Sequence, residues 1–175
     1  MVECNDVSFS YPADSSGGYE RAGNEKGGAL RHISCRIEDG SFVLLCGESG
    51  CGKTTLTRLF NGLIPHYYEG NFTGTVCLDG EETGKLSLFD ISEKVGSVFQ
   101  NPRSQFFNVD TTSELAFGPE NHSLPEETVR KRVKEVSGRL RLSKLLDRSI
   151  FSLSGGEKQK IACGSASAIE PDLFV

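Results

Sequence analysis

A chain of 175 residues, 37% hydrophobic and 25% charged, has the size and balance of one globular domain with a substantial core. Its net charge of −5 argues against broad binding to nucleic acid, whose phosphates attract basic faces. No apolar run approaches the roughly 20 residues that span a bilayer, so any membrane connection is expected to pass through a partner protein.

The opening "VECNDVSFSY" and the later "LRHISCRIEDG" read as strands, the second because Ile33, Cys35 and Ile37 alternate with polar residues. Between them, residues 12–28 are rich in Gly, Ser and charge, and predict a solvated loop. "FVLLC" at 42–46 is a short continuous apolar run, the pattern of a strand buried on both faces. The N-terminus lacks the layout of a signal peptide. Cys4, Cys35, Cys46, Cys51, Cys77 and Cys163 form no CxxC pair, and are expected to be reduced structural thiols of a cytosolic protein.

"GESGCGKT" follows the apolar run and fits G-x-x-x-x-G-K-[ST] with Gly47, Gly52, Lys53 and Thr54. Leu56, Leu59, Phe60 and Leu63 then recur at helical spacing, which supplies the strand–loop–helix context the motif needs. Glycines at 47, 50 and 52, with Ser49 and Thr55 beside them, let backbone N–H groups converge on phosphate oxygens at a helix N-terminus. Lys53 adds a point charge, and the Thr54 hydroxyl suits Mg²⁺. Taken alone, this loop announces a nucleotide phosphate without separating a GTPase, a kinase and an ATPase.

Further along, "GTVCLDGEE" places an Asp-Gly turn between strand-like pieces. "EKVGSVFQ" reads as a buried strand ending at Gln100. Residues 123–142 predict a helix, with Ser123 and Glu126 at capping-box spacing and Val129, Val133, Val136 and Leu140 on one stripe. "LSGGEKQ" at 153–159 puts Ser154, Gly155 and Gly156 at the start of another helix, a second anion cradle. "PDLFV" at 171–175 has the look of a buried parallel strand. The implied class is α/β, in the order β-rich N-terminal part, α/β P-loop core, helical middle and return to a core strand.

"LSGGEKQ" downstream of "GESGCGKTT" resembles the signature motif of ATP-binding cassette (ABC) proteins, and the resemblance extends over essentially the whole chain. "NGLIPHYYEGNFTG", "VFQNPRSQFF", "TSELAFGPEN" and "LSGGEKQKIA" are similar to the ATPase subunits of energy-coupling factor importers. The resemblance implies a P-loop NTPase with a RecA-like core, an N-terminal antiparallel β part and an inserted helical subdomain of about residues 101–152, with ATP and Mg²⁺ as cofactors and ATP hydrolysis coupled to import. It implies a second ABC ATPase subunit, identical or paralogous, and a transmembrane coupling subunit. The location would be cytoplasmic, peripheral on the inner face of the cell membrane. It gives Gln100 a Mg²⁺- and water-contacting role, faces Phe106 and Phe107 toward the membrane partner, and sets Ser154, Gly155 and Gly156 against the γ-phosphate of the facing subunit. Tyr11 is open to two readings, an adenine-stacking aromatic or an ordinary strand residue. The acidic Mg²⁺ partner and catalytic glutamate would follow the strand at 171–175, so the sequence is read as cut short there and as binding nucleotide at best. The alternative within the resemblance is a soluble ABC ATPase of DNA repair or translation; neither a long coiled-coil insertion nor a basic linker is present to favour it.

Overall fold

The computed structural model describes residues 1–12 and 29–175, so the predicted loop lies, beyond Pro12, outside the described residues. The chain forms two compact units, Met1–Ile91 and Ser92–Val175.

The first unit is built on an antiparallel sheet of order β2-β1-β3-β4, with β1 at Val2–Ser10, β2 at Leu30–Ile37, β3 at Asn71–Leu78 and β4 at Glu81–Glu82. Val2, Cys4, Val7 and Phe9 are buried, so the inward alternation slips by one between Cys4 and Val7. The slip is a bulge: the register of β1 with both neighbours shifts there, and Asp6 has φ 48°. Gly74 lies opposite at φ 85°, where a Cβ would sit 2.5 Å from the Asp6 carbonyl oxygen, so only glycine admits the close approach. The Asp-Gly hairpin forms as the sequence predicts: Asp79 and Gly80 take φ 51° and 82°, the two positive values a type I′ turn requires, and Leu78 pairs with Glu81. Helix α1 (Lys53–Phe60) buries Leu59 and Phe60, and the one-turn α2 (Leu63–His66) follows Gly62. Helix α3 (Leu88–Lys94) runs through the division of the chain at Ile91 and Ser92.

One expectation fails here. Residues 42–46 form no strand, and Phe42 is 94% and Leu44 76% exposed. An apolar run becomes a buried strand only when neighbours take up its backbone hydrogen bonds and cover both faces. Among the described residues no strand pairs with it.

The second unit packs α4 (Thr111–Asn121), α5 (Glu126–Arg139) and α6 (Gly155–Ala168) around Leu115, Val133, Val136, Leu142 and Ile161. The predicted stripe of α5 holds for Val129, Val133 and Val136, each buried valine contributing about 1.5–3 kcal/mol. Leu140 instead ends the helix at its C-cap. The predicted capping box does not form: Ser123 takes φ 55°, and Pro125 is the N-cap with no side-chain bond. Helices α4 and α6 approach closely, since a Cβ on Gly164 would lie 2.7 Å from a Leu115 methyl. The strand expected to reach Gln100 is short: β5 (Val95–Gly96) pairs in parallel with β6 (Leu173–Phe174). Gly96 and Val98 continue the ladder to Val175, but Phe174 is 52% exposed, so β6 is parallel as predicted without being buried.

Candidate nucleotide-binding site

The glycine-rich loop ends at Gly52, the N-cap of α1, held at φ 98° without a side-chain cap. Gly47 and Gly50 also take positive φ, 153° and 83°. Two of these glycines are required sterically: a Cβ at Gly52 would sit 2.5 Å from the Ala29 carbonyl oxygen, and one at Gly47 2.6 Å from Cys51 Sγ. The loop curls around the Lys53 ammonium, which donates to the carbonyls of Gly47 at 2.9 Å and Glu48 at 2.7 Å and lies 3.6 Å from Cys51 Sγ. Lys53 thus folds back on the loop's own carbonyls at the start of α1, where a cation and a helix N-terminus both favour an anion. Ser49 and Thr54 are exposed, whereas Thr55 is buried. All six cysteines carry free thiols; burial, with Cys35 beside it, pushes the Cys4 thiol up to about 12, so that thiol is inert packing.

Tyr11 is brought to the same helix. Its hydroxyl accepts from Arg58 Nη1 at 2.8 Å and lies 3.4 Å from Thr55 Oγ1. Its ring meets Phe9 edge-on at 4.8 Å and Tyr68 at 6.2 Å, and the Arg58 guanidinium sits 4.1 Å over the Tyr68 ring. These contacts tether Tyr11 to the first two turns of α1.

In the second unit, Gln100 is exposed, one residue beyond a backbone amide that is held in place. That amide, of Phe99, donates to Gln105 Oε1 at 3.0 Å, while Gln105 Nε2 donates to the Ala162 carbonyl of α6 at 3.2 Å. Asn101 caps the turn Pro102–Ser104 by accepting from Arg103 N at 3.1 Å. Next along the chain, the buried Glu114 carboxylate accepts from the amides of Phe107 at 3.0 Å and Asn108 at 2.9 Å. The two aromatics expected to face a partner separate: Phe106 packs against the helical core, while Phe107 is 77% exposed and stacks on Phe117.

The second cradle opens α6, as predicted. Ser154 is its N-cap, accepting from the Glu157 amide at 3.4 Å and donating from Oγ to Glu157 Oε2 at 2.7 Å; the same carboxylate accepts from the Ser154 amide at 2.8 Å. The Ser154 hydroxyl and then its amide hold the Glu157 carboxyl below its ordinary value. Gly155 and Gly156 are exposed, and a Cβ on either would meet no atom within 4 Å among the described residues.

The family model described as ABC transporter matches residues 30–175. The chain belongs to the ABC transporter family. A protein of Treponema denticola, provisionally named an ABC transporter ATP-binding protein, is 49% identical over the whole chain, which covers 34% of that protein. A Pyrococcus horikoshii protein with the same provisional name is 38% identical over the whole chain, which covers 58% of it. The chain therefore spans about a third of the first of these relatives. Among solved structures, cbiO1 of Clostridium perfringens, part of the ABC transporter complex cbiONQ, is 26% identical with a TM-score of 0.78, over 99% of this chain and 63% of that one. The dimeric cassette MJ0796, in a post-hydrolysis state bound to ADP and Pi, shares the fold at 24% identity and a TM-score of 0.78, over 99% of this chain and 72% of that one.

For an ABC-family chain, motif reading found the residues whose types are constrained by backbone geometry. It missed Arg58 and Gln105, whose partners Tyr11 and Ala162 are distant in sequence, and Glu114, whose carboxylate takes the nearby amides of Phe107 and Asn108. The only available signals were a carboxylate inside the apolar stretch "SELAF" and the repeated glutamine of "QNPRSQ". Among the described residues no group of three or more His, Cys, Asp or Glu could hold a metal, and no helix is long and apolar enough to cross a membrane.

Proposed function

We propose that residues 1–175, with a helical subdomain at about 101–152 containing α4 and α5, are the nucleotide-binding part of an ATPase that powers import through a membrane complex of the energy-coupling factor type. The observation that carries this reading is the pairing of two different helix N-termini in one chain. One is a strained glycine loop closed on Lys53, and the other is a capped helix start whose glycines no described neighbour requires. Residues free of any internal demand to be glycine suit a surface that another molecule approaches closely.

In this reading the amides of the loop at 47–55, with Gly47, Ser49, Gly50, Gly52 and Thr55, receive the phosphates of ATP. The Lys53 ammonium leaves the carbonyls of Gly47 and Glu48 for phosphate oxygens, so the loop exchanges internal hydrogen bonds for ligand bonds. Tyr11, steadied by Arg58 and Thr55, offers its ring to adenine. Mg²⁺ supplies charge neutralisation on the phosphates, and it is usually bound through one or two protein ligands plus phosphate and water rather than by a cage. The exposed Thr54 hydroxyl of the first unit would be offered to it, and the exposed Gln100 side chain of the second unit is proposed, on the family resemblance, as a metal- or water-contacting group. Ser154, Gly155 and Gly156 face the nucleotide of a second ABC ATPase subunit. The likeness to cbiO1, itself part of cbiONQ, supports a transmembrane coupling partner at the cytoplasmic face, with the exposed Phe107 on the contacting surface.

Calorimetric titration of the full-length protein with Mg-ATP tests the reading. Binding that is weakened about tenfold or more in Lys53→Ala and less strongly in Tyr11→Ala supports it. Equal affinity in the wild type and Lys53→Ala would overturn it.

A further inference from the structure

The segment from Phe99 to Asn108 is framed at both ends, and the exposed Gln100 stands at its start. At the far end Glu114 of α4 takes the amides of Phe107 and Asn108. At the near end the frame is one side chain, Gln105. The turn Pro102–Ser104, closed by the Gln105 amide donating to the Pro102 carbonyl at 3.1 Å, folds the chain back on itself. Gln105 Oε1 thereby receives the Phe99 amide while Gln105 Nε2 donates to Ala162, eight residues along the helix that Ser154 opens. The Ala162 carbonyl lies within α6, and Ala162 is fully buried, so the anchor point is rigid.

We propose that Gln105 is a positioning residue: its amide group ties the main chain immediately before Gln100 to the signature helix, so that Gln100 and Ser154 are carried by one mechanical unit. A primary amide suits the task because it offers an acceptor and a donor on one planar group, matching an N–H on one side and a C=O on the other. Glutamate keeps the acceptor and loses the donor; methionine keeps the approximate length and loses both. With Gln105 in place, displacement of α6 by whatever meets Ser154 and Gly156 moves the Phe99 amide, and Gln100 with it. This inference rests on the proposed ATPase reading for its kinetic consequence but not for its structural one.

The test compares wild type, Gln105→Met and Gln105→Glu in the full-length protein by amide hydrogen exchange at Phe99, by thermal midpoint, and by kcat and KM for Mg-ATP. In Gln105→Met the Phe99 amide should exchange about tenfold faster, one hydrogen bond read as an exchange ratio. Its kcat should fall about tenfold while KM changes less than twofold. Gln105→Glu should keep Phe99 protected yet still lose kcat, because the Ala162 link is cut. Unchanged Phe99 exchange in Gln105→Met would overturn the clamp whatever the enzyme does. Faster exchange with unaltered kcat would overturn its positioning role, and a fall in kcat explained by unfolding at the assay temperature would do the same. A wild type that turns over no ATP would overturn the ATPase reading together with the positioning role, while the exchange comparison would still decide whether the clamp exists.

Discussion

The helix starts at Gly52 and Ser154 treat the orphan N–H groups of a helix N-terminus in opposite ways, the first leaving them without a side-chain cap and the second capping them. At Gly52 the backbone is bent into left-handed geometry, no side chain caps the helix, and Lys53 turns back onto the loop's own carbonyls. At Ser154 the backbone is ordinary and a reciprocal capping box with Glu157 closes the helix, leaving bare glycines outside. The first cradle is specialised by strain and by a charge it already contains. The second is a stable helix start with open surface, so its specialisation lies in what it leaves free. The two should therefore break differently.

The largest difference is expected from alanine at the glycines. Gly52→Ala forces a Cβ onto φ 98° and against the Ala29 carbonyl oxygen, costing about 1–3 kcal/mol for the backbone alone and abolishing nucleotide binding. Gly155→Ala meets open space and should change stability by no more than about 0.5 kcal/mol. Denaturant unfolding of both variants measures this contrast, and equal losses would erase it.

Charge comes next. Lys53→Ala removes a charge-assisted contact and should weaken ATP binding by about 1.5–3 kcal/mol, a factor of roughly ten to a hundred or more. Ser154→Arg should leave the ATP affinity of isolated, undimerised protein within twofold while blocking ATP-dependent dimerisation. Calorimetry and light scattering separate the two; a large affinity loss in Ser154→Arg would mean that the second cradle serves its own chain's nucleotide.

A smaller effect is expected at the cap itself. Ser154→Ala should cost about 0.5–2 kcal/mol of stability, with Ser154→Thr recovering most of it. Gly52 has no cap side chain to lose, so no equivalent experiment exists at the first cradle. Thermal unfolding of the three proteins measures it.

The smallest effect is in pH. The Ser154 hydroxyl and amide hold the Glu157 carboxyl below its ordinary value, so ionised Glu157 favours the folded state. That contribution is present above the ordinary glutamate range and is lost as pH falls through the lowered folded value. The stability gap between wild type and Ser154→Ala should therefore narrow in acid below that range. A gap independent of pH would show that the hydroxyl caps without help from the carboxylate.

What could be read directly from the sequence was local. The order of motifs, the Asp79 and Gly80 turn, the Val129, Val133 and Val136 stripe and the serine that opens α6 depend on residues within a turn or two, where backbone sterics and side-chain period decide the outcome. What only the tertiary structure decided involves partners far along the chain. The apolar run at 42–46 carries a buried-strand pattern, but pattern is not burial without strands to pair with, and Phe42 lies exposed. The slip in β1 depends on Gly74 of another strand, and the frame before Gln100 on Ala162. Ser123 and Glu126 have capping-box spacing, yet the chain's path out of α4 leaves Ser123 at φ 55° and Pro125 as the cap. A hydrogen bond needs two groups at one place, and for residues so far apart only the folded chain determines where each one is.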